Sequence, residues 1–331
     1  MSSNNTGLAK AKSLIIKYPM YFVLLGLVVI MSLLSEKFLT YQNIMNVMIA
    51  ESTRGILALG VGLIIITRGI DLSVGATVAL SSVVTASLVQ DASYTAKLLP
   101  NVPTMPVVVG VLAGMLTGAL VGLFNGYLVA YRKVPPFIAT LGGQVIARGI
   151  AYVYTDAYPI PMLSDEFKQI GQGGIGTVAY VVIIMVLLCV ITGVLLHTTG
   201  FGKSLFAIGG NENAARVAGI KVERNTMLIY IYGSLLASVA GVMLAARSGA
   251  GAASLGVGYE LDAIAAATIG GISQSGGVGS IGGIIVGIFI LGFMNNGLLL
   301  LGVSPYMQEI IKGLIIVVAV TLDSRQKARR V

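Results

Sequence analysis

The stretch Thr199 to Arg224, TGFGKSLFAIGGNENAARVAGIKVER, is the longest polar interval in a chain that otherwise alternates apolar runs with short interruptions. Within it Asn211 has the side chain of a helix N-cap, Glu212 suits a first turn, Arg216 suits the last turns, and Gly219 supplies a left-handed stop. Together they predict a helix of about eight residues, roughly 12 Å long. A helix so short is marginal alone in water, so a neighbour must hold it. Ala214, Ala215, Val217 and Ala218 are small and apolar among Glu212, Asn213 and Arg216. Such a surface seats closely in a cleft of another protein; a packed connector between membrane spans has the same composition.

Outward from this interval the chain is apolar. Of 331 residues, 56% are apolar and 10% charged, and the mean hydropathy is +0.92, far outside the soluble range. The reading is an all-α integral membrane protein with a single transmembrane domain over 18–322. A polar segment precedes it (1–17), a cytoplasmic loop interrupts it (198–225) and a basic tail follows (323–331). The formal net charge of +8 is read as loops that hold orientation in lipid, not as a nucleic-acid surface.

Ten apolar segments are expected as crossings: Tyr18 to Leu34, Gly55 to Thr67, Leu72 to Val89, Pro106 to Ala130, Phe137 to about Tyr154, Val178 to His197, Met227 to Ala246, Glu260 to Gly271, Val278 to Leu301 and Met307 to Leu322. Tyr41 to Thr53 either lies in the interface or lengthens the second. Glu260 to Gly271 is too short and polar to face lipid, though tolerable where protein or a cavity surrounds it. Glycines at 110, 114, 118, 122 and 126 wind half-way round the fourth segment and predict close helix packing, as do Gly279, Gly283 and Gly287. With ten crossings the side of the N-terminus carries about fourteen Lys and Arg against about five opposite, so both termini are expected in the cytoplasm. Arg68 to Gly75 (RGIDLSVG) and Gly271 to Gly279 (GISQSGGVG) are faintly similar, which either reflects two related halves with interrupted segments beside a transport path or follows from glycine-rich composition alone.

Several chemistries are excluded. His197 to Ser204 (HTTGFGKS) has histidine where a phosphate-binding loop needs its first glycine. Gly277 to Gly282 (GVGSIG) fits a dinucleotide motif by composition, in what reads as an apolar helix with no acidic residue about 20 positions on. A single histidine, His197, rules out multi-histidine metal sites and makes a catalytic triad improbable; no metal site is expected. Cys189, the one cysteine, lies in an apolar run and reads as a small buried residue. Charges in or beside spans cost roughly 2.5–3.5 kcal/mol at a helix centre. Arg68 with Asp71, Glu51 with Arg54 and Glu309 with Lys312 stand three apart as expected pairs, while Arg148, Glu260 and Asp262 have no local partner. Spans three, four, six, seven and nine carry no carboxylate in their middles, so ion coupling within the chain is not expected.

The blocks FGKSLFAIGGNENAARVAGIKV (201–222), RGIDLSVG (68–75), YELDAIAAATIGGISQSGGVGS (259–280) and NNGLLLLGVSPYMQEIIKGLIIVVAVTLDS (295–324) resemble the permease subunits of bacterial ABC importers for monosaccharides, of the ribose and galactose type. That resemblance covers nearly the whole chain and implies about ten transmembrane helices with both ends cytoplasmic, in the inner membrane. It implies as partners a second copy of the chain, an ATPase with two nucleotide-binding domains, a periplasmic sugar-binding protein and membrane lipid. No cofactor is expected here, ATP and magnesium belonging to the ATPase. The loop between spans six and seven becomes the coupling loop, with Gly210, Asn211, Ala214, Ala215, Arg216, Gly219 and Ile220 as the ATPase contact. Sugar would pass where two permeases meet, along Asp71, Ser73, Asn125, Ser273, Asn295 and Asn296; alternatively these asparagines bond neighbouring helices. TMP (104–106), VPPFIATLG (134–142) and SPYMQEIIKG (304–313) lean toward galactose and methylgalactoside permeases, NNGLLLLG (295–302) toward ribose ones. An ATP-independent sugar carrier or facilitator is the rival of another class.

Overall fold

A computed structural model of the chain describes residues 19–328. The N-terminal segment with Lys10, Lys12 and Lys17, and Arg329 and Arg330 of the tail, lie outside the described residues. The first half holds α1 (Pro19–Leu34), α2 (Tyr41–Ile66), α3 (Val74–Leu88), α4 (Val107–Ala130) and α5 (Pro136–Thr155). A short helix α6 (Asp165–Gln172) and a two-residue hairpin of β1 (Gly174–Ile175) and β2 (Val178–Ala179) then lead into α7 (Tyr180–Thr198). The polar interval forms α8 (Gly200–Gly210) and α9 (Glu212–Val217). The second half continues with α10 (Val222–Ser248), α11 (Tyr259–Ile269), α12 (Ile281–Leu300) and α13 (Pro305–Ala328). Each expected crossing therefore has its helix, and five of them, α2, α4, α7, α10 and α12, are long and apolar enough to span a bilayer by length and composition.

Helix α2 resolves the choice left open at Tyr41 to Thr53, which lengthens the span. Thr40 caps it, its hydroxyl accepting from Asn43 N–H at 3.4 Å. At 26 residues α2 is about 39 Å long, and almost every residue from Glu51 to Ile66 is buried. It forms the centre of the bundle with α3, α10, α11 and α12. Around it α4 and α7 turn Leu, Val and Ile outward, as lipid requires, and α4 turns its glycines inward, the reverse of a soluble helix.

The glycine stripe of α4 makes this centre compact. A methyl on Gly110 or Gly114 would meet α3 at Val89 and Thr85; on Gly118, Gly122 or Gly126 it would meet α10 at Ser238, the Tyr230 carbonyl and Met227. The stripe thus passes from one neighbour to the other as it winds. Gly283 and Gly287 of α12 likewise lie against the carbonyls of Gly270 and Ala266.

The connections sort to two ends. At one, Asp91 N–H donates to Met162 O at 2.7 Å, Ile160 pairs with Gly251, and the Tyr41 hydroxyl donates to Thr177 O at 3.0 Å. At the other, Gly277 N–H donates to Ile66 O at 2.8 Å and Lys133 pairs with Glu223 at 3.1 Å. The segment after α10 runs through the bundle in two parts: Gly251 lies against Ser82 and Ala86, Gly256 against Gly75 and Val78, and α11 continues from there. That explains why Glu260 to Gly271 is so short: the part before it is unwound chain laid along α3.

The polar stretch before β1 includes α6, with Ser164 at its N-cap position and Asp165 and Glu166 in its first turn. Two expectations need correction. Gly277 to Ser280 is not helical: Gly276 and Gly277 adopt left-handed backbone (φ +78° and +75°), and α12 starts after Ser280, whose hydroxyl accepts from Gly283 N–H. Arg68 and Asp71 do not pair, because each is committed elsewhere, as described below.

Candidate functional site

The polar interval folds as its caps dictate. Asn211 Oδ1 accepts from Ala214 N–H at 3.0 Å, opening α9, and Gly219 closes it at φ +82°. The helix has six residues rather than eight, since Ala218 already leaves helical geometry. Upstream, Thr199 caps α8 by accepting from Gly202 N–H at 3.1 Å. Lys203 and Ser204 therefore lie inside a helix, not in a phosphate-cradling loop.

One face of α9 is held and the other is free. Ala215 is buried against Ile208 and Val222, the neighbour that so short a helix needs. Asn211, Ala214 and Gly219 are exposed, Ile220 is half-buried, and Val217 is 90% exposed. Arg216 pairs with Glu223 at 2.8 Å and with Glu212 at 3.0 Å; these partners, Glu223 first, hold its guanidinium above the ordinary range. Of the residues expected to touch a partner, Ala215 is the exception: it faces inward and supports the others. Gly210, at the C-terminus of α8, is exposed beside them.

Behind α9 the two interrupted segments meet. Arg68 Nε donates to Gly209 O and its Nη2 to Gly210 O, both at 2.7 Å. Gly277 N–H reaches Ile66 O, and Ser273 lies buried in the same turn, its carbonyl accepting from Gly276 N–H at 2.9 Å. A cavity of about 240 Å³ opens alongside, bounded by Arg68, Gly69, Lys133, Ile208, Glu212 and Tyr230.

Deeper in, the α2–α3 break carries a polar nest. Asp71, fully buried, accepts through Oδ1 from Ser73 N–H (2.8 Å) and Ser73 Oγ–H (2.6 Å). Ser73 Oγ in turn accepts from Asn125 Nδ2 at 2.8 Å. Asn125 abuts Gly143 of α5. Next to Gly143, Gln144 donates to Glu260 at 3.2 Å, and Glu260 abuts Gly75. Arg148 caps the unwound chain, donating to Ala253 O (2.6 Å) and Leu255 O (2.8 Å). Asp71 Oδ2, Asn125 Oδ1 and Glu260 Oε2 are buried acceptors with no hydrogen-bond partner among the described residues. Gln144 and Arg148 stand half-buried, linking the nest to the outer face of α5.

Asn296 belongs elsewhere. It exchanges two hydrogen bonds of 2.8 Å with Asn43 of α2, so this expected path residue is a tie between helices. Asn295 Oδ1 is buried without a partner among the described residues. The expected pairs Glu51–Arg54 and Glu309–Lys312 form, each at 2.8 Å, and Asp262 joins them across helices, meeting Lys312 at 2.8 Å and Arg54 at 3.2 Å. The sequence reading missed this network and the part of Gln144. Gln144 and Arg148 stand four apart on an otherwise apolar helix, which places them on one face.

The chain matches, over residues 43–320, a family model described as the permease component of the branched-chain amino acid transport system. It is 41% identical over 317 residues to the galactose/methyl galactoside import permease protein MglC of Escherichia coli, covering 94% of both chains. It is 43% identical over 304 residues to the ribose import permease protein RbsC of Bacillus subtilis (91% of each) and 39% identical to that of Escherichia coli over 308 residues (92% of each). No solved structure matches it.

Proposed function

The chain belongs to the family of transport-system permease components, and from that premise we propose that it is the membrane-spanning subunit of an ATP-driven importer for galactose or methyl galactoside. The observation that carries this reading is the 41% identity to a galactose import permease along 94% of both chains. The equal likeness to a ribose permease favours a pentose as the second reading. In either case ten crossings, with both termini cytoplasmic, agree with the sorting of connections to two ends and with the charge asymmetry of the loops.

In this reading α9 docks on a separate ATPase, which binds ATP and magnesium. Its free face, around Val217, Ala214 and Gly219, is small and apolar enough to enter a cleft, and the Arg216 ion pairs keep it rigid. A sugar-binding protein delivers substrate on the opposite side. By linkage, if docking of the loaded binding protein favours closure of the ATPase, ATP-driven closure strengthens that docking by the same coupling free energy. The sugar path runs where two copies meet, beside α5, where half-buried Gln144 and Arg148 give access to the nest. Unpartnered acceptors suit a passing hydroxylated solute, offering hydrogen bonds without a pocket that would retain it.

Deleting the gene in its own host and measuring uptake of labelled galactose and ribose tests the reading. Galactose uptake lost and restored by the chain supports it; ribose uptake lost instead supports the alternative. Unchanged uptake of both overturns sugar import.

A further inference from the structure

Arg68 is the first residue beyond the end of α2 to take a left-handed backbone, at φ +63°. Glycine takes that conformation freely and a side chain does not, so an arginine there points to a use for its guanidinium. The backbone supplies the stop: Arg68 N–H donates to Ile65 O and Gly69 N–H to Ile64 O. The side chain then reaches across to the last two carbonyls of α8, those of Gly209 and Gly210, at 2.7 Å each. Carbonyls at a helix C-terminus have no partner within the helix and carry its negative dipole end. A planar fork of donors holds two such oxygens at once, which a single ammonium does with less geometric constraint.

The backbone around this fork is packed without side chains. A methyl at Gly209 would overlap the Ile66 carbonyl, one at Gly276 would meet the Arg68 side chain, and one at Gly277 would meet Gly210. On the remaining side lies the cavity of about 240 Å³, with Arg68 and Ile208 in its lining. Asn211, one residue past the clamped carbonyls, opens α9. Asp71, three residues beyond Arg68, anchors the polar nest.

We propose that Arg68 is the positioning residue through which a displacement of α9 reaches the α2–α3 break and the nest at Asp71. The proposal rests on the reading that α9 docks on an ATPase. It adds that coupling runs laterally through this fork, not only along the covalent path into α10.

The test uses the whole complex, permease with ATPase and sugar-loaded binding protein in proteoliposomes. Arg68→Ala and Arg68→Lys are compared with wild type for co-purification of the ATPase, basal hydrolysis, and stimulation by loaded binding protein. Expected is normal co-purification and basal hydrolysis, stimulation reduced on the order of fivefold or more by Arg68→Ala, and partial recovery by Arg68→Lys. Where Arg68→Ala does not assemble, a reduced stimulation ratio in Arg68→Lys with unchanged basal rate carries the proposal. Wild-type stimulation in the assembled variants overturns it, as does a parallel fall of basal and stimulated rates, which marks a merely structural role. Val217→Asp separates the underlying reading: if that variant retains wild-type ATPase co-purification, docking through α9 is wrong, whereas failure at Arg68 alone leaves docking intact.

Discussion

Ala215 and Val217 are two positions apart on a six-residue helix, and only one of them faces outward. Ala215→Arg forces a long cation between Ile208 and Val222 and is expected to lower the thermal unfolding midpoint. Val217→Asp leaves that midpoint unchanged and weakens ATPase retention; differential scanning with co-purification reads both. Asn211→Ala removes the cap and is expected to destabilise the local fold by about 1 kcal/mol, seen as faster amide exchange over 212–218. The cap and the stop at Gly219 were legible because they are local: Asn211 bonds three residues on. Which alanine faces in was not, since six residues give too little period. The partners of Arg68 were illegible for another reason. Asp71 stands three residues away, yet the carbonyls that Arg68 binds lie 141 and 142 positions along the chain, and backbone acceptors leave no mark in a sequence.

At the scale of elements, small residues decide packing where hydrophobicity cannot, because lipid is as apolar as leucine. Gly122→Val would press a side chain into the Tyr230 carbonyl and Ser234 of α10. Overpacking of this kind costs about 1–3 kcal/mol, so a lower midpoint is expected, with a smaller effect for Gly142→Val, where no atom stands within 4 Å of the site. The stripe was legible from its spacing, including the turn from one neighbour to the next. The ion network joining α2, α11 and α13 was legible only in its three-apart pairs. Removing Asp262 takes a shared carboxylate from Arg54 and Lys312; breaking a buried pair costs about 3–5 kcal/mol, here an upper bound because each cation keeps a second partner. Asp262→Ala is expected to lower the midpoint, and adding Lys312→Met to recover part of the loss. Additive losses would show that the two residues do not interact.

For the whole molecule, the decisive arrangement is that the α8–α9 segment and both interrupted segments converge at one end of the bundle. The kinship of RGIDLSVG and GISQSGGVG marked the two segments as a candidate pair, while their direct contact, Gly277 N–H on Ile66 O, and their meeting with α8 required the fold. The half-unwound traverse before α11 likewise could be suspected from its length but not drawn, since glycine-rich chain has no period to read. A permease so built has the short helix α9 exposed at one end and a nest of buried acceptors within, and no carboxylate in the middle of most spans to couple an ion gradient. The direct measurement is accumulation of labelled galactose by proteoliposomes holding this chain alone, against the same vesicles supplied with the ATPase, ATP and loaded binding protein. Accumulation is expected only in the second, and concentration of sugar by the chain alone would contradict the dependence on a partner.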